Sequence, residues 1–386
     1  MTENICVYID ITSLMDTAFL SGIQRVVIEI SRRLIDFSGI NCKLVYYKGK
    51  KEIYILNNDE FRKYLDGSID KKIIRRKAKR VYEDLYEAGA IWLDLDAVWN
   101  NVPSRAELYP ILKSRDVTIV TLIHDILPIT DPRFFPSNGD WAFAGYVGAA
   151  INYADIILTT TDATKDEVKK LIYDIHGRRD MQLEVVGLGA DYDDNVSKNG
   201  DIASICSKYV STVSKYVLMV GTIEPRKNHA VVLRAFEKKL FGLGIGLVFA
   251  GRKGWNSDSF ISHIEEMSKS ERLFAFFEGM NDASIDYLYK NCSVLAFPSF
   301  AEGYGLPIVE ALQRDVPVVA ANINVSREVG GEYCRYADVQ NEDEWIDAIN
   351  YCLNNNDSLK KKISEYQPTS WDEVVDIIVG IFRKDE

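Results

Sequence analysis

Phe297-Pro298-Ser299-Phe300-Ala301-Glu302-Gly303-Tyr304-Gly305-Leu306-Pro307-Ile308-Val309-Glu310-Ala311-Leu312 is the stretch from which the rest of the chain can be read. The apolar run 293–297 reads as a buried strand that ends at Phe297. A glycine-bearing turn follows, and a helix opens with Pro307 near its first position. Strand, turn and helix in that order are the repeating unit of a parallel sheet, which binds its ligands at the carboxyl ends of the strands. The helix start offers unpaired N–H groups and a positive dipole end, both suited to phosphate. Gly303 and Gly305 let the backbone approach such a ligand closely. Glu302 in the turn and Glu310 in the helix are placed to hold different hydroxyls of one extended ligand. On spacing alone, a solvated loop acid and a surface helix acid account for them equally well.

A second strand–turn–helix lies upstream at Val220-Gly221-Thr222-Ile223-Glu224-Pro225-Arg226-Lys227-Asn228-His229. Arginine as a planar fork and lysine as a point charge, at the mouth of a parallel sheet, can neutralise a diphosphate. A basic surface turn is the alternative. Ala250-Gly251-Arg252-Lys253-Gly254-Trp255 adds another basic glycine turn at a strand end, from which Arg252 can approach the same ligand.

Working outward, short apolar runs alternate with amphipathic segments along the whole chain, as in βαβ units. Strands are expected at 5–9, 43–47, 90–95, 117–123, 155–159 and 183–186 in the first half. In the second half they are expected at 216–220, 247–250, 274–277, 293–297 and 317–320. Helices are expected at 23–37, 106–113, 141–153, 163–175, 230–240, 284–290, 307–314 and 342–353. Residues 191–208 are polar and turn-rich and read as a linker. At 386 residues the chain exceeds one ordinary core, so two domains are expected, 1–195 and 209–367. A capped helix over 368–386, opening at Thr369-Ser370-Trp371, is expected to pack back on the first domain.

The composition, 47% hydrophobic and 27% charged, is that of a folded protein. A net charge of −11 argues against a surface-wide nucleic-acid binder. Six scattered cysteines form no CxxC and read as free thiols of a reducing compartment. Four distant histidines give no metal-ligand spacing. No secretory signal is visible, and no apolar stretch reaches the roughly 18–20 residues that span a bilayer. Asp94-Leu95-Asp96 has the letters of a metal motif but lies on an apolar strand, and reads as its buried end.

Three N-terminal features complete the set. Ser21-Gly22-Ile23-Gln24-Arg25 starts the first long helix. Ile123-His124-Asp125-Ile126-Leu127-Pro128 ends a buried strand; a lone histidine there is more often structural. Thr160-Thr161-Asp162 follows a further strand.

Glu-Gly-Tyr-Gly-Leu-Pro-Ile-Val-Glu-Ala-Leu, with Glu302 and Glu310 as its two acids, and Gly-Thr-Ile-Glu-Pro-Arg-Lys-Asn-His together resemble the retaining glycosyltransferase family 4. The resemblance covers essentially the whole chain. It implies the α/β GT-B fold, two Rossmann-like domains facing a central cleft with a C-terminal helix crossing back. It implies that Glu310 binds the donor ribose and that Glu302 binds the transferred sugar. Arg226 and Lys227 would grip the diphosphate, helped by backbone N–H groups of Gly303, Tyr304, Gly305 and Leu306. Gly22 would lie beneath the diphosphate and His124 beside the sugar. Many family members carry arginine where this chain has Thr222, which leaves open which cation dominates. Transfer with retention, without a divalent metal or other cofactor, from a nucleotide-diphosphate sugar to a glycan acceptor follows from the resemblance. Asp10-x-Thr12-Ser13, Ser21-Gly-Ile-Gln-Arg25 and Glu-Pro-Arg-Lys-Asn resemble O-antigen and capsule mannosyl- or rhamnosyltransferases, which points to GDP-mannose.

Lys71, Lys72, Arg75, Arg76, Lys77, Lys79 and Arg80, followed by Val81, Leu85 and Tyr86 at helical spacing, read as a basic amphipathic helix. Such a helix suits an anionic membrane surface and a lipid-linked acceptor; a solvated helix face is the alternative. The expected location is the cytoplasm, at the inner face of the cytoplasmic membrane. A non-catalytic nucleotide-sugar-binding subunit, or another GT-B enzyme such as an epimerase or phosphorylase, stays open as a rival. A nucleic-acid partner is not expected.

Overall fold

The computed structural model describes residues 4–17, 21–82, 85–136, 140–177, 181–190 and 206–383. They fall into two compact units. The first joins Met1–Thr130, Ser137–Gly189 and Thr369–Glu386; the second joins Asp131–Pro136 and Ala190–Pro368.

The first unit is built on β1 (Ile5–Asp10), β2 (Ile40–Lys48), β3 (Glu52–Ile55), β4 (Lys79–Val81), β5 (Ile91–Asp94), β6 (Thr118–Ile123), β7 (Ile156–Thr159) and β8 (Gln182–Val185). Their order is β4-β3-β2-β1-β5-β6-β7-β8. β3 pairs antiparallel with β2 and β4, and the other pairs are parallel. Ile9 lies beside Leu44 on one flank and Leu93 on the other. Strands covered on both faces carry mostly apolar side chains, which is why these runs are legible.

Succession along the chain reverses between β1 and β5, and the crevice there is filled from within. Arg105, fully buried, reaches Asp10 from Nη2 (2.5 Å) and Asp94 from Nε (2.6 Å). The Tyr109 hydroxyl donates to Asp94 (2.7 Å) and the Asn101 amide to Asp10 (3.3 Å). Asp94 is thus the buried strand end that its apolar surroundings predict. Asp96, also buried, accepts from the Leu14 amide (2.6 Å) and the Gln24 side chain (3.0 Å). Removing one partner strands the opposite charges in a dry interior. Arg105→Ala is expected to destabilise the protein by about 3–5 kcal/mol, measured by chemical denaturation.

The basic segment departs from its expected form. The helix ends at Lys77, and Ala78 turns extended (φ −67°, ψ 140°). Lys79–Val81 then joins β3 as an edge strand. The physical reason lies in the partners. Lys71 donates to the carbonyls of Leu14 and Thr17 (both 2.6 Å), and Arg75 pairs with Asp16 (2.7 Å). Lys77 pairs with Glu60 (2.6 Å) and Arg80 with Glu52 (3.2 Å). Four of the seven cations are therefore spent on the protein itself, and no continuous basic helical face extends to Tyr86.

The C-terminal helix Trp371–Phe382 packs on the helix Gly22–Asp36 within the first unit. A side chain at Gly189 would meet Trp371 at 2.5 Å, so only glycine fits under that indole. The expected linker lies largely outside the described residues, which resume at Cys206; residues 206–210 are helical and Cys206 is buried. Among the described residues all six cysteines are free thiols.

The second unit holds β9 (Tyr216–Val220), β10 (Gly246–Ala250), β11 (Phe274–Phe277), β12 (Val294–Phe297), β13 (Val318–Ala321) and β14 (Cys334–Ala337). The order is β11-β10-β9-β12-β13-β14, all parallel. Succession reverses between β9 and β12, which makes their carboxyl ends the switch point where such sheets bind ligands. The helix expected over 230–240 is α-helical from His229 to Ala235 and widens to a π turn over Phe236–Leu240.

Candidate active site

The turn after β9 runs Gly221 to Asn228, with a short 3-10 turn at Pro225–Lys227. Asn228 takes a left-handed conformation (φ 52°), and its amide donates to the carbonyls of Pro298 (3.1 Å) and Val339 (2.7 Å). This fixes the β9 turn to the β12 turn and aims Arg226 and Lys227 across the switch point. Lys227 Nζ lies 2.6 Å from one oxygen of Glu302, and Arg226 Nη1 lies 2.8 Å from the other. Arg226 also pairs with Glu224 (2.7 Å) and donates to the Ala301 carbonyl (2.8 Å). Two cations and two carboxylates therefore balance within one buried cluster.

The electrostatics follow. Burial alone would raise the Glu302 carboxyl, but the Arg226 and Lys227 charges outweigh it and hold the pKa at about 2. Burial pushes Glu224 up despite Arg226, and pushes Lys227 below its ordinary value despite Glu302. A lysine so placed is a weakly hydrated cation whose side chain also lies over the Phe297 ring (5.4 Å).

Glu310 sits on the helix Leu306–Leu312 and is 8% exposed, with the Tyr289 hydroxyl donating to it (2.9 Å). Neither acid is a solvated surface group, since the Glu302 side chain is only 7% exposed. Gly305 precedes the helix at φ 98°, a left-handed position that favours glycine. Gly303 is buried, and Thr222, Tyr304 and Leu306 are half-buried in the same two turns. The Arg252 carbonyl accepts from the Ile223 amide (2.7 Å), which places that residue at the neighbouring strand end. The structure thus gathers Thr222, Arg226, Lys227, Arg252, Glu302 and Glu310 on the carboxyl side of one sheet.

Gly22 and His124 belong to the first unit. Gly22 opens its helix behind the Ser21 cap and is exposed. His124 follows β6, with Nε2 2.8 Å from the Leu95 carbonyl. That carbonyl can only accept, so Nε2 carries the proton and Nδ1 is left as an acceptor. Burial lowers the imidazole to about 4. A folded pKa below the ordinary value means that stability is lost as pH falls from about 6.5 through 4. The expected result is a ring that stays neutral from pH 5 to 8, seen as unmoving His124 NMR shifts across that range.

Asn228 and Glu224 escaped the sequence reading as contributors. An asparagine directly before a helix, where left-handed geometry is tolerated, was the available signal for the first.

Residues 208–369 match the family model "Glycosyl transferases group 1". The serotype-specific mannosyltransferase WbdA of Escherichia coli is 26% identical over 339 residues, 85% of this chain and 40% of that protein. The O-antigen chain mannosyltransferase B of Escherichia coli is 27% identical over 257 residues, 66% of this chain and 63% of that one. The chain thus spans about two fifths of the length of the first of these relatives. Among solved structures, Anabaena Alr3699/HepE in complex with UDP and glucose aligns with a TM-score of 0.66 at 14% identity, covering 98% of this chain and 100% of that one. Sucrose-phosphate synthase from Thermosynechococcus elongatus aligns at 0.67 and 13%, covering 98% of each. The chain thus carries the GT-B fold over its whole length, and residues 208–369 of it match the group 1 glycosyltransferase pattern.

Proposed function

We propose that the chain transfers a sugar, with retention of anomeric configuration and without a divalent metal, from a nucleotide-diphosphate sugar to a glycan acceptor. The observation that carries this is the convergence of Arg226 and Lys227 on Glu302 at the switch point of the second sheet. In this reading the diphosphate exchanges for Glu302 on the two cations, and the released carboxylate turns to the hydroxyls of the sugar. Glu310 takes the ribose. As the anomeric carbon–phosphate oxygen bond breaks, Arg226 and Lys227 stabilise the charge that develops on the leaving diphosphate. The acceptor oxygen bonds to the same face, and its proton passes to the leaving phosphate, so no separate base is required. His124, neutral and oriented by Leu95, offers Nδ1 to the sugar.

Two relatives named as mannosyltransferases support mannose as the sugar and GDP-mannose as the donor, in assembly of a bacterial surface polysaccharide. The acceptor in this reading is lipid-linked, held at the inner face of the cytoplasmic membrane. Flotation with anionic liposomes tests that location, and substitution of the exposed Lys72, Arg76 and Lys79 should weaken it.

The deciding experiment incubates the protein with GDP-mannose, UDP-glucose or other nucleotide sugars, with and without lipid-linked oligosaccharide. Acceptor-dependent release of nucleoside diphosphate is expected, with GDP-mannose the best donor. Tight nucleotide-sugar binding without turnover would instead mark a non-catalytic subunit.

A further inference from the structure

The short segment Asp131–Pro136 clusters with the second unit, although the chain up to Thr130 and again from Ser137 belongs to the first. We propose that this segment is a strap that sets the position of the Glu302 turn, with Phe134 as a positioning residue for donor binding. The proposal rests on the donor-site reading above and extends it to residues outside the family pattern.

Phe134, 8% exposed, stacks on Phe300 with ring centroids 5.3 Å apart and planes 16° from parallel. Its carbonyl accepts from the Trp255 indole (2.7 Å), and the next ring, Phe135, faces the same indole at 6.3 Å. The strap therefore holds the turn after β12 through Phe300 and the turn after β10 through Trp255. Each of these is in turn bonded to the turn after β9. The Phe300 amide donates to the Arg226 carbonyl (2.9 Å), and the Gly254 amide donates to the Ile223 carbonyl (3.0 Å). One apolar contact thus closes a ring around three turns that otherwise meet through polar groups, the Asn228, Arg226 and Lys227 side chains among them. The turn between Phe300 and Leu306 carries two glycines and would sample many conformations once unpinned. Glu302 lies two residues from the stacked ring, so its alignment with Arg226 and Lys227 depends on that pin.

The test compares Phe134→Ala, Phe134→Leu, Trp255→Phe and Phe300→Ala in the full chain, using GDP and UDP as probes. Phe134→Ala should weaken binding of whichever nucleotide the parent binds by about ten-fold, the worth of one good aromatic contact. Phe134→Leu should recover most of it. Phe134→Ala with Phe300→Ala should be no worse than either alone, because both break the same contact. Additive losses, or lowered thermal stability with unchanged nucleotide affinity, would reduce Phe134 to ordinary packing and overturn the proposal. Amide hydrogen exchange without ligand supplies the independent arm. Residues 300–305 should exchange faster in Phe134→Ala, or in Trp255→Phe where the alanine variant does not fold; unchanged exchange there sinks the strap. If the parent binds neither nucleotide, the donor reading fails while the exchange result still judges the strap.

Discussion

Glu302→Ala is expected to lower the melting temperature of the free protein while enlarging the stabilisation conferred by a bound nucleoside diphosphate. In the free protein Glu302 is the carboxylate shared by Arg226 and Lys227. Its loss leaves two adjacent cations in a buried site, with Glu224 still beside Arg226. Breaking a buried pair in this way costs about 3–5 kcal/mol, on the order of 10 °C in a chain of this size. A diphosphate brings back negative charge at the same place, and the variant has more to regain than the parent. The sign with pH is fixed by the lowered carboxyl. Because the folded pKa of about 2 lies below the ordinary 4.5, the contribution of Glu302 is complete above the ordinary value. It is lost as pH falls through the folded one. Parent and variant should therefore differ widely in melting temperature at pH 7 and converge near pH 2. Calorimetry with and without GDP and UDP checks both halves. Equal melting temperatures at pH 7, or a smaller nucleotide shift in the variant, would contradict the account.

Gly251→Ala is expected to abolish soluble expression. A methyl group at that position would lie 1.7 Å from the Gly221 carbonyl oxygen and 2.6 Å from its carbon, both parts of the backbone. Backbone cannot rotate aside like a long side chain, so the turns after β9 and β10 would have to separate. Separation breaks the Ile223-to-Arg252 hydrogen bond and shifts the turn that bears Arg226 and Lys227. The cost exceeds the ~3 kcal/mol of ordinary overpacking. Gly242→Ala is the control, because nothing lies within 4 Å of a side chain there and its backbone is not left-handed. Comparable yield and melting temperature for the two variants would show that the turns can part cheaply.

Much of the fold was legible because a parallel sheet leaves a plain mark. Strands such as Thr118–Ile123 and Tyr216–Val220 are covered on both faces and read as largely apolar runs. Glu52–Ile55 and Lys79–Val81 left no such mark, being four and three residues of an antiparallel edge laced with charge. Cys334–Ala337, half of it exposed or partly so, was lost for the same reason. The helices Asp258–Ser270, Asn324–Gly330 and Asn356–Ile363 bury few residues and were also missed. Charge was the least legible quantity. Ten residues rich in Lys and Arg read as a free basic face, yet Asp16, Glu52 and Glu60, distant in sequence, neutralise part of it. Arg105 gave no local hint that it would bridge Asp10 and Asp94. The acids of the donor pattern could be read as a pair, but not that Glu302 spends the free state on Lys227 and Arg226.

The placement of Trp371–Phe382 has a consequence for the order of synthesis. The first unit is completed only when that helix emerges from the ribosome, after every residue of the second unit has been made. Until then the face of the helix Gly22–Asp36 that it covers, and the bare backbone of Gly189 beneath Trp371, stand open to water. The nascent first half is thus the stage most in need of chaperone protection, while the second unit has its own six strands to fold around at once. A premature stop a few codons before Trp371 would then injure the half of the molecule that was translated first.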